Sequence, residues 1–128
     1  MSEDKLLYEV TAHDGSCSSV AWSPDGKWLA SGGKDRLIKL WGAADGSPGA
    51  VLAGHEEMVN SVAFHPQGRA LLLSGSDDRT ARLWDLGAGA SVQALQHQGG
   101  VNSVGWSPDG RKLATGAGNL AQVFELAS

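Results

Sequence analysis

The chain has 128 residues, room for one ordinary domain and its core, and a formal net charge of −4 with only 10 Lys and Arg spread along it. That balance leaves no basic stripe for a phosphate backbone, so nucleic acid is set aside as a direct partner. No apolar run approaches the ~20 residues that span a bilayer, and MSEDKLLYEV is acidic and polar where a secretory leader is basic and then apolar, so the expectation is a cytoplasmic chain with no membrane contact.

Residues 1–4 read as a disordered tail, and Lys5–Thr11 (KLLYEVT) alternates as an opening strand. Cys17–Trp22 follows as a short strand. As the single cysteine, Cys17 excludes an internal disulfide and a multi-cysteine metal site, and it is expected to be buried. Ser23-Pro24-Asp25-Gly26 is turn chemistry, since Pro fixes φ and Asp-Gly accepts conformations that other residues resist. Lys27–Ser31, Leu37–Trp41 and Ala50–Leu52 are the next strands, with Gly32-Gly33-Lys34-Asp35 as a turn between the first two. The same plan returns as Val59–Phe64, Ala70–Ser74, Thr80–Trp84 and Ser91–Leu95, then as Val101–Trp106, Arg111–Thr115 and Ala121–Leu126. His55 to Ser74 is one residue longer than His13 to Ser31, which predicts a bulge or a longer turn within Arg69–Leu73.

The repetition is regular. Ser23-Pro24-Asp25-Gly26, His65-Pro66-Gln67-Gly68 and Ser107-Pro108-Asp109-Gly110 lie 42 positions apart, and His13, His55 and His97 keep that step. A period in this range marks a propeller blade. With Gly54-His55 at its start and Leu83-Trp84-Asp85 at its end, the middle copy resembles a blade of the WD-repeat β-propeller family, and the resemblance covers about Tyr8 to Leu126. It implies an all-β fold of blades of four antiparallel strands. The units are residues 5–53 (the opening strand plus repeat one), 54–96 (repeat two) and 97–128 (repeat three, without its own outer strand).

A propeller typically has 4–8 blades, so three repeats do not close a ring. In the family the chain's opening strand commonly completes the last blade. Here that pattern puts Lys5–Thr11 against the strand ending at Leu126, donated between chains. Among rings of 4–8 blades only six is a multiple of three, so a six-bladed homodimer is favoured and a nine-bladed trimer comes next.

A His, a Ser and an Asp in one repeat raise the possibility of a hydrolase using His55, Ser74 and Asp78. The resemblance implies instead a buried hydrogen-bond network of His55, Ser74, Asp78 and Trp84, matched in repeat one by His13, Ser31, Asp35 and Trp41. In repeat three only His97 and Thr115 survive, because Phe124 stands in the Trp position and Gly116–Asn119 has no Asp in register. That network is incomplete, and the third blade is expected to be the weakest. One histidine per blade does not gather at a metal, His65 is read as a solvated turn residue, and Gly32-Gly33-Lys34 lacks phosphate-loop spacing, so no cofactor is expected.

By register with the family pattern, candidate partner-binding rim residues are Ser16, Ser18 and Lys34 in the first blade, Met58, Asn60 and Asp77 in the second, and Gly100 and Asn102 in the third. Met58 is the most suggestive, since a flexible thioether suits contact surfaces. The implied function is a non-catalytic scaffold for protein or peptide partners. The alternative is a purely structural propeller fragment with no partner of its own.

Overall fold

The structure, a computed structural model, describes residues 5–126 and is all β with no helix among them. The tail assigned to residues 1–4 lies outside the described residues. The first antiparallel sheet runs β1 (Cys17–Trp22), β2 (Trp28–Gly33), β3 (Leu37–Gly42) and β4 (Pro48–Ala53) in sequence order. A second four-stranded sheet takes β5 (Val59–Phe64), β6 (Leu71–Ser76), β7 (Thr80–Asp85) and β8 (Ala90–Gln96). The third has three strands, β9 (Val101–Trp106), β10 (Lys112–Ala117) and β11 (Leu120–Glu125). Each sheet is a blade, and the set remains open.

Local chemistry accounts for the strand ends. In the first β1–β2 turn, Asp25 Oδ1 accepts hydrogen bonds from Ser23 Oγ at 2.6 Å and from the Lys27 amide at 2.9 Å, while Gly26 takes a φ of 72°. Ser107, Asp109 and Gly110 repeat this arrangement before β10. The extra residue of the second repeat is absorbed by a longer turn. His65 N–H reaches Leu71 O across one residue more than Ser23 N–H to Trp28 O, and no register shift interrupts the β5–β6 ladder beside it.

Alternation along the strands gives every blade two apolar faces, and the blades stack to bury them. Ala30, Ile38, Leu40 and Leu52 of the first blade pack on Val59, Val62, Leu72 and Trp84 of the second. Leu73, Ala81 and Leu83, on the second blade's other face, pack against Leu113, Val104, Trp106 and Phe124 of the third. The outermost faces of the stack are uncovered. Val20 is 68 % exposed and Trp22 63 % on the first blade, and Val123 is 67 % exposed on the third.

Three expectations are corrected. Lys5–Thr11 is not a strand: it runs over the first blade with no ladder, held by Tyr8, whose hydroxyl donates to Ala43 O at 2.7 Å. Tyr8 and Val10 pack beside Gly46 and line a cavity with Val20, Leu29 and Trp41, so packing on the blade's face takes the place of a ladder. Cys17 does open β1 but is exposed, because β1 borders the uncovered face. His65 is buried, with Nε2 3.0 Å from Gly110 O and its ring edge-on to Trp106, because its turn butts against the matching turn of the next blade.

Candidate functional site

The side chains with the richest chemistry meet in the second blade. His55 enters from the loop after β4, Ser74 sits in mid β6, Asp78 occupies the β6–β7 turn, and Trp84 lies near the end of β7. Ser74 Oγ is 2.6 Å from His55 Nε2 and 2.8 Å from Trp84 Nε1, and His55 Nδ1 is 2.8 Å from Asp78 Oδ2. One proton assignment satisfies all of it. An indole can only donate, so Trp84 N–H points at Ser74 Oγ; Ser74 O–H then donates to His55 Nε2, and His55 Nδ1–H donates to the carboxylate.

The electrostatics agree with a neutral imidazole. Burial lowers the His55 pKa, outweighing the upward pull of Asp78. Burial pushes the Asp78 carboxyl upward, yet hydrogen bonds from Thr80 Oγ1, the Glu56 amide and His55 bring it down to about 2. Gly54 is required beside His55, since a Cβ there would lie 2.9 Å from the Trp84 ring.

Serine, imidazole and carboxylate are aligned as a nucleophile relay would align them, but Ser74 and Trp84 are sealed under the first blade at 0 % and 1 % exposure. A reacting carbon must come within ~3 Å of the nucleophile, and nothing but packed side chains reaches Ser74. The arrangement ties a loop, a strand and a turn into one unit.

The first blade repeats it, with His13 2.8 Å from both Asp35 and Ser31 and Trp41 Nε1 donating to Ser31 Oγ at 2.9 Å. This copy borders the uncovered face, and Trp41 is half-buried. Burial raises the Asp35 carboxyl, but amides of Leu37 and Asp14 together with His13 hold it below the usual carboxylate range. In the third blade His97 Nε2 meets Thr115 Oγ1 at 2.8 Å, and Nδ1 turns back to Leu95 O. Among the described residues no group of His, Cys, Asp and Glu could hold a metal ion.

The rim candidates do not form one pocket. Ser16 O accepts from the Lys34 amide, and Met58 O accepts from the Asp77 amide, joining equivalent loops in two blades. Met58 is half-buried, and Gly100 packs on Asp77. Ser18 and Asn60 spend their polar groups between blades: Ser18 Oγ donates to Val59 O, and Asn60 Nδ2 donates to Val101 O at 3.0 Å and to Asp77 Oδ1 at 2.7 Å. Asn102 is exposed on β9. Residues not singled out from the sequence, Arg36, Glu56, Glu57 and Arg79, complete a charged notch with Asp77 and Asp78 where the turns of the first two blades meet. The available sequence signal was the Asp-Arg pair that recurs as Asp35-Arg36 and Asp78-Arg79 in matching turns, where both arginines take a left-handed backbone at φ 74° and 73°.

The family model described as WD domain, G-beta repeat matches residues 4–42, 46–85 and 89–125. The chain belongs to this WD-repeat family. Similar WD-repeat proteins include the GATOR2 complex protein Wdr24 of Drosophila melanogaster, 44 % identical over 46 residues (36 % of this chain, 6 % of that protein). The small ribosomal subunit protein RACK1z of Arabidopsis thaliana is 48 % identical over 46 residues (36 % and 14 %), and the general transcriptional corepressor TUP1 of Saccharomyces cerevisiae is 49 % identical over 39 (30 % and 6 %). The match thus spans well under a fifth of each relative's own length. WD-repeat proteins are protein-interaction scaffolds, and relatives such as these are typically non-catalytic.

Proposed function

We propose that this WD-repeat chain is a non-catalytic scaffold that assembles head to tail, with a six-bladed dimer favoured over a nine-bladed trimer, and offers the assembled rim to protein or peptide partners. The observation that carries the reading is the pair of uncovered blade faces. Val20, Trp22, Leu29 and Trp41 on the first blade correspond to Val62, Phe64, Leu72 and Trp84, which the second blade buries against the first. Ala114 and Val123 on the third correspond to Leu73 and Leu83, which the second buries against the third. Each end of the stack has the face that the other end lacks, so a heterologous contact between copies continues the packing already made twice inside the chain.

Strand exchange belongs to the same proposal. The edge of β11 has no fourth strand beside it among the described residues, and Leu6 and Leu7 lie exposed at 75 % and 78 % on a segment that alternates as a strand does. In the assembly residues 5–11 leave the first blade and pair with β11 of the next copy. Light scattering on a sizing column tests the reading: twice the mass of one chain is expected, three times indicates the nine-bladed ring, and a stable monomer overturns self-assembly. Deleting residues 1–12 should dissociate the assembly or leave aggregates. The buried Ser74 supports the non-catalytic part, which labelling of Ser74 by a serine-reactive probe in the folded protein would overturn.

A further inference from the structure

The two seams inside the chain are built from the same contacts, displaced by one repeat. Where the second blade meets the first, Val62 N–H donates to Ser19 Oγ at 3.2 Å; where the third meets the second, Val104 N–H donates to Ser61 Oγ at 3.2 Å. Ser18 Oγ reaches Val59 O at the first seam, and Asn60 Nδ2 reaches Val101 O at the second. Trp106 Nε1 donates to Ala63 O at 3.1 Å, a bond the first seam lacks because Phe64 has no N–H. Beneath them a glycine admits a valine. A Cβ on Gly32 would lie 3.2 Å from Val59 Cβ, and one on Gly75 would lie 3.2 Å from Val101 Cβ.

Moving these contacts on by one repeat names a third set whose halves sit on opposite ends of the stack. Asn102 and Ser103 are exposed on the third blade, Trp22 and Cys17 are exposed on the first, and a Cβ on Gly105 would meet nothing within 4 Å. Gly116 holds the position of Gly32 and Gly75, but a Cβ there would meet nothing nearer than Ser103 Cβ at 4.0 Å. We propose that a second copy of this chain docks in this one register: Asn102 Nδ2–H on Cys17 O, Val20 N–H on Ser103 Oγ, Trp22 Nε1–H on Gly105 O, and Cys17 seated on Gly116. The inference rests on the head-to-tail assembly proposed above and fixes its contacts.

The register makes Cys17 its own reporter. The glycine and valine Cβ positions in the existing seams fall close to the ~3.5–4.5 Å separation that a disulfide spans, so Gly116→Cys should crosslink to Cys17 of the neighbouring copy on mild oxidation. Residues 17 and 116 lie at opposite ends of one stack and cannot join within a chain. The expected result is a reducible dimer band on a denaturing gel, absent when Cys17→Ser is added. Light scattering on the same sample separates the outcomes. An assembled protein that does not crosslink overturns the register and leaves the assembly standing, whereas a monomer overturns both. In the unaltered chain, alkylation of Cys17 by a thiol reagent should slow at least tenfold as concentration drives assembly, and an unchanged rate in the assembled protein also overturns the register. Trp22→Phe, which removes one N–H···O bond at each of the two seams of the closed dimer, should weaken its assembly by roughly thirtyfold.

Discussion

Replacing Ser74 by alanine is the sharpest test of how the second blade is held. Ser74 Oγ takes the Trp84 N–H and supplies the proton on which His55 Nε2 rests, and the three residues are 0 %, 1 % and 6 % exposed. The substitution leaves a buried indole N–H and a buried imidazole nitrogen without partners at about 1–3 kcal/mol each, so a loss of about 2–4 kcal/mol is expected once partial relaxation is allowed for. For a chain of this size that corresponds to a fall in Tm on the order of 10 °C. Thr115→Val in the third blade is the comparison. Thr115 Oγ1 serves His97 alone, with Phe124 where a tryptophan would donate, and His97 is half-buried, so about 1 kcal/mol is expected. Urea unfolding followed by tryptophan fluorescence, at one protein concentration so that assembly does not differ between samples, measures both. A loss for Ser74→Ala no larger than that for Thr115→Val refutes the view that the network stabilises the blade through its buried donors.

Acid should act through the same residues. With its carboxyl at about 2 in the fold, Asp78 contributes about 2 kcal/mol that is complete above its unfolded pKa of ~4 and lost as pH falls through about 2. His55, held neutral by burial, adds to the decline from pH ~6.5 downward, so stability should fall with acid, and Asp78→Asn should flatten the fall below pH 4 in unfolding curves taken at several pH values. Gly54→Ala drives a methyl to 2.9 Å from the Trp84 ring and should cost about 1–3 kcal/mol by urea unfolding; a neutral result would mean that the loop moves freely. Arg79→Gly relieves a left-handed residue at φ 73° and should hold or raise stability by up to about 1 kcal/mol, and a clear loss would show that the Arg79 side chain matters more than its backbone.

The repeat was legible because turn chemistry brackets each strand. Val59–Phe64 and Val101–Trp106 lie between glycine-rich loops and Pro-Gly turns, and the ladders start and stop where those residues dictate. Most other strands run a residue or two further, since pairing continues until a turn prevents it. What could not be read was which blade lies beside a given face. Cys17 and His65 occupy comparable strand-end and turn positions, yet one borders the open end of the stack and the other is pressed between two blades. Lys5–Thr11 has strand pattern but packs on the first blade's face without joining a sheet edge. Ser18 and Asn60 hold rim positions by register with the family pattern, and register alone does not say whether a polar side chain faces solvent or the next blade. Their recurrence 42 residues apart was the available sign that they bridge blades.

Turned back on Leu95 O, His97 leaves the loop before β9 without a carboxylate to fasten it. In the other two blades that fastening is direct: the Asp14 amide is held by Asp35, the Glu56 amide by Asp78, and Glu57 and Met58 carbonyls by Ser76 Oγ. Residues 98–100 therefore retain conformational entropy that their counterparts have already lost, at about 1–2 kcal/mol per residue when the backbone is fixed. A ligand landing on the second blade meets a loop already ordered, while one landing on the third must order it. Any ring assembled from these blades has one soft sector after every two stiff ones, and hydrogen exchange should find the amides of residues 98–100 far faster than that of Glu56.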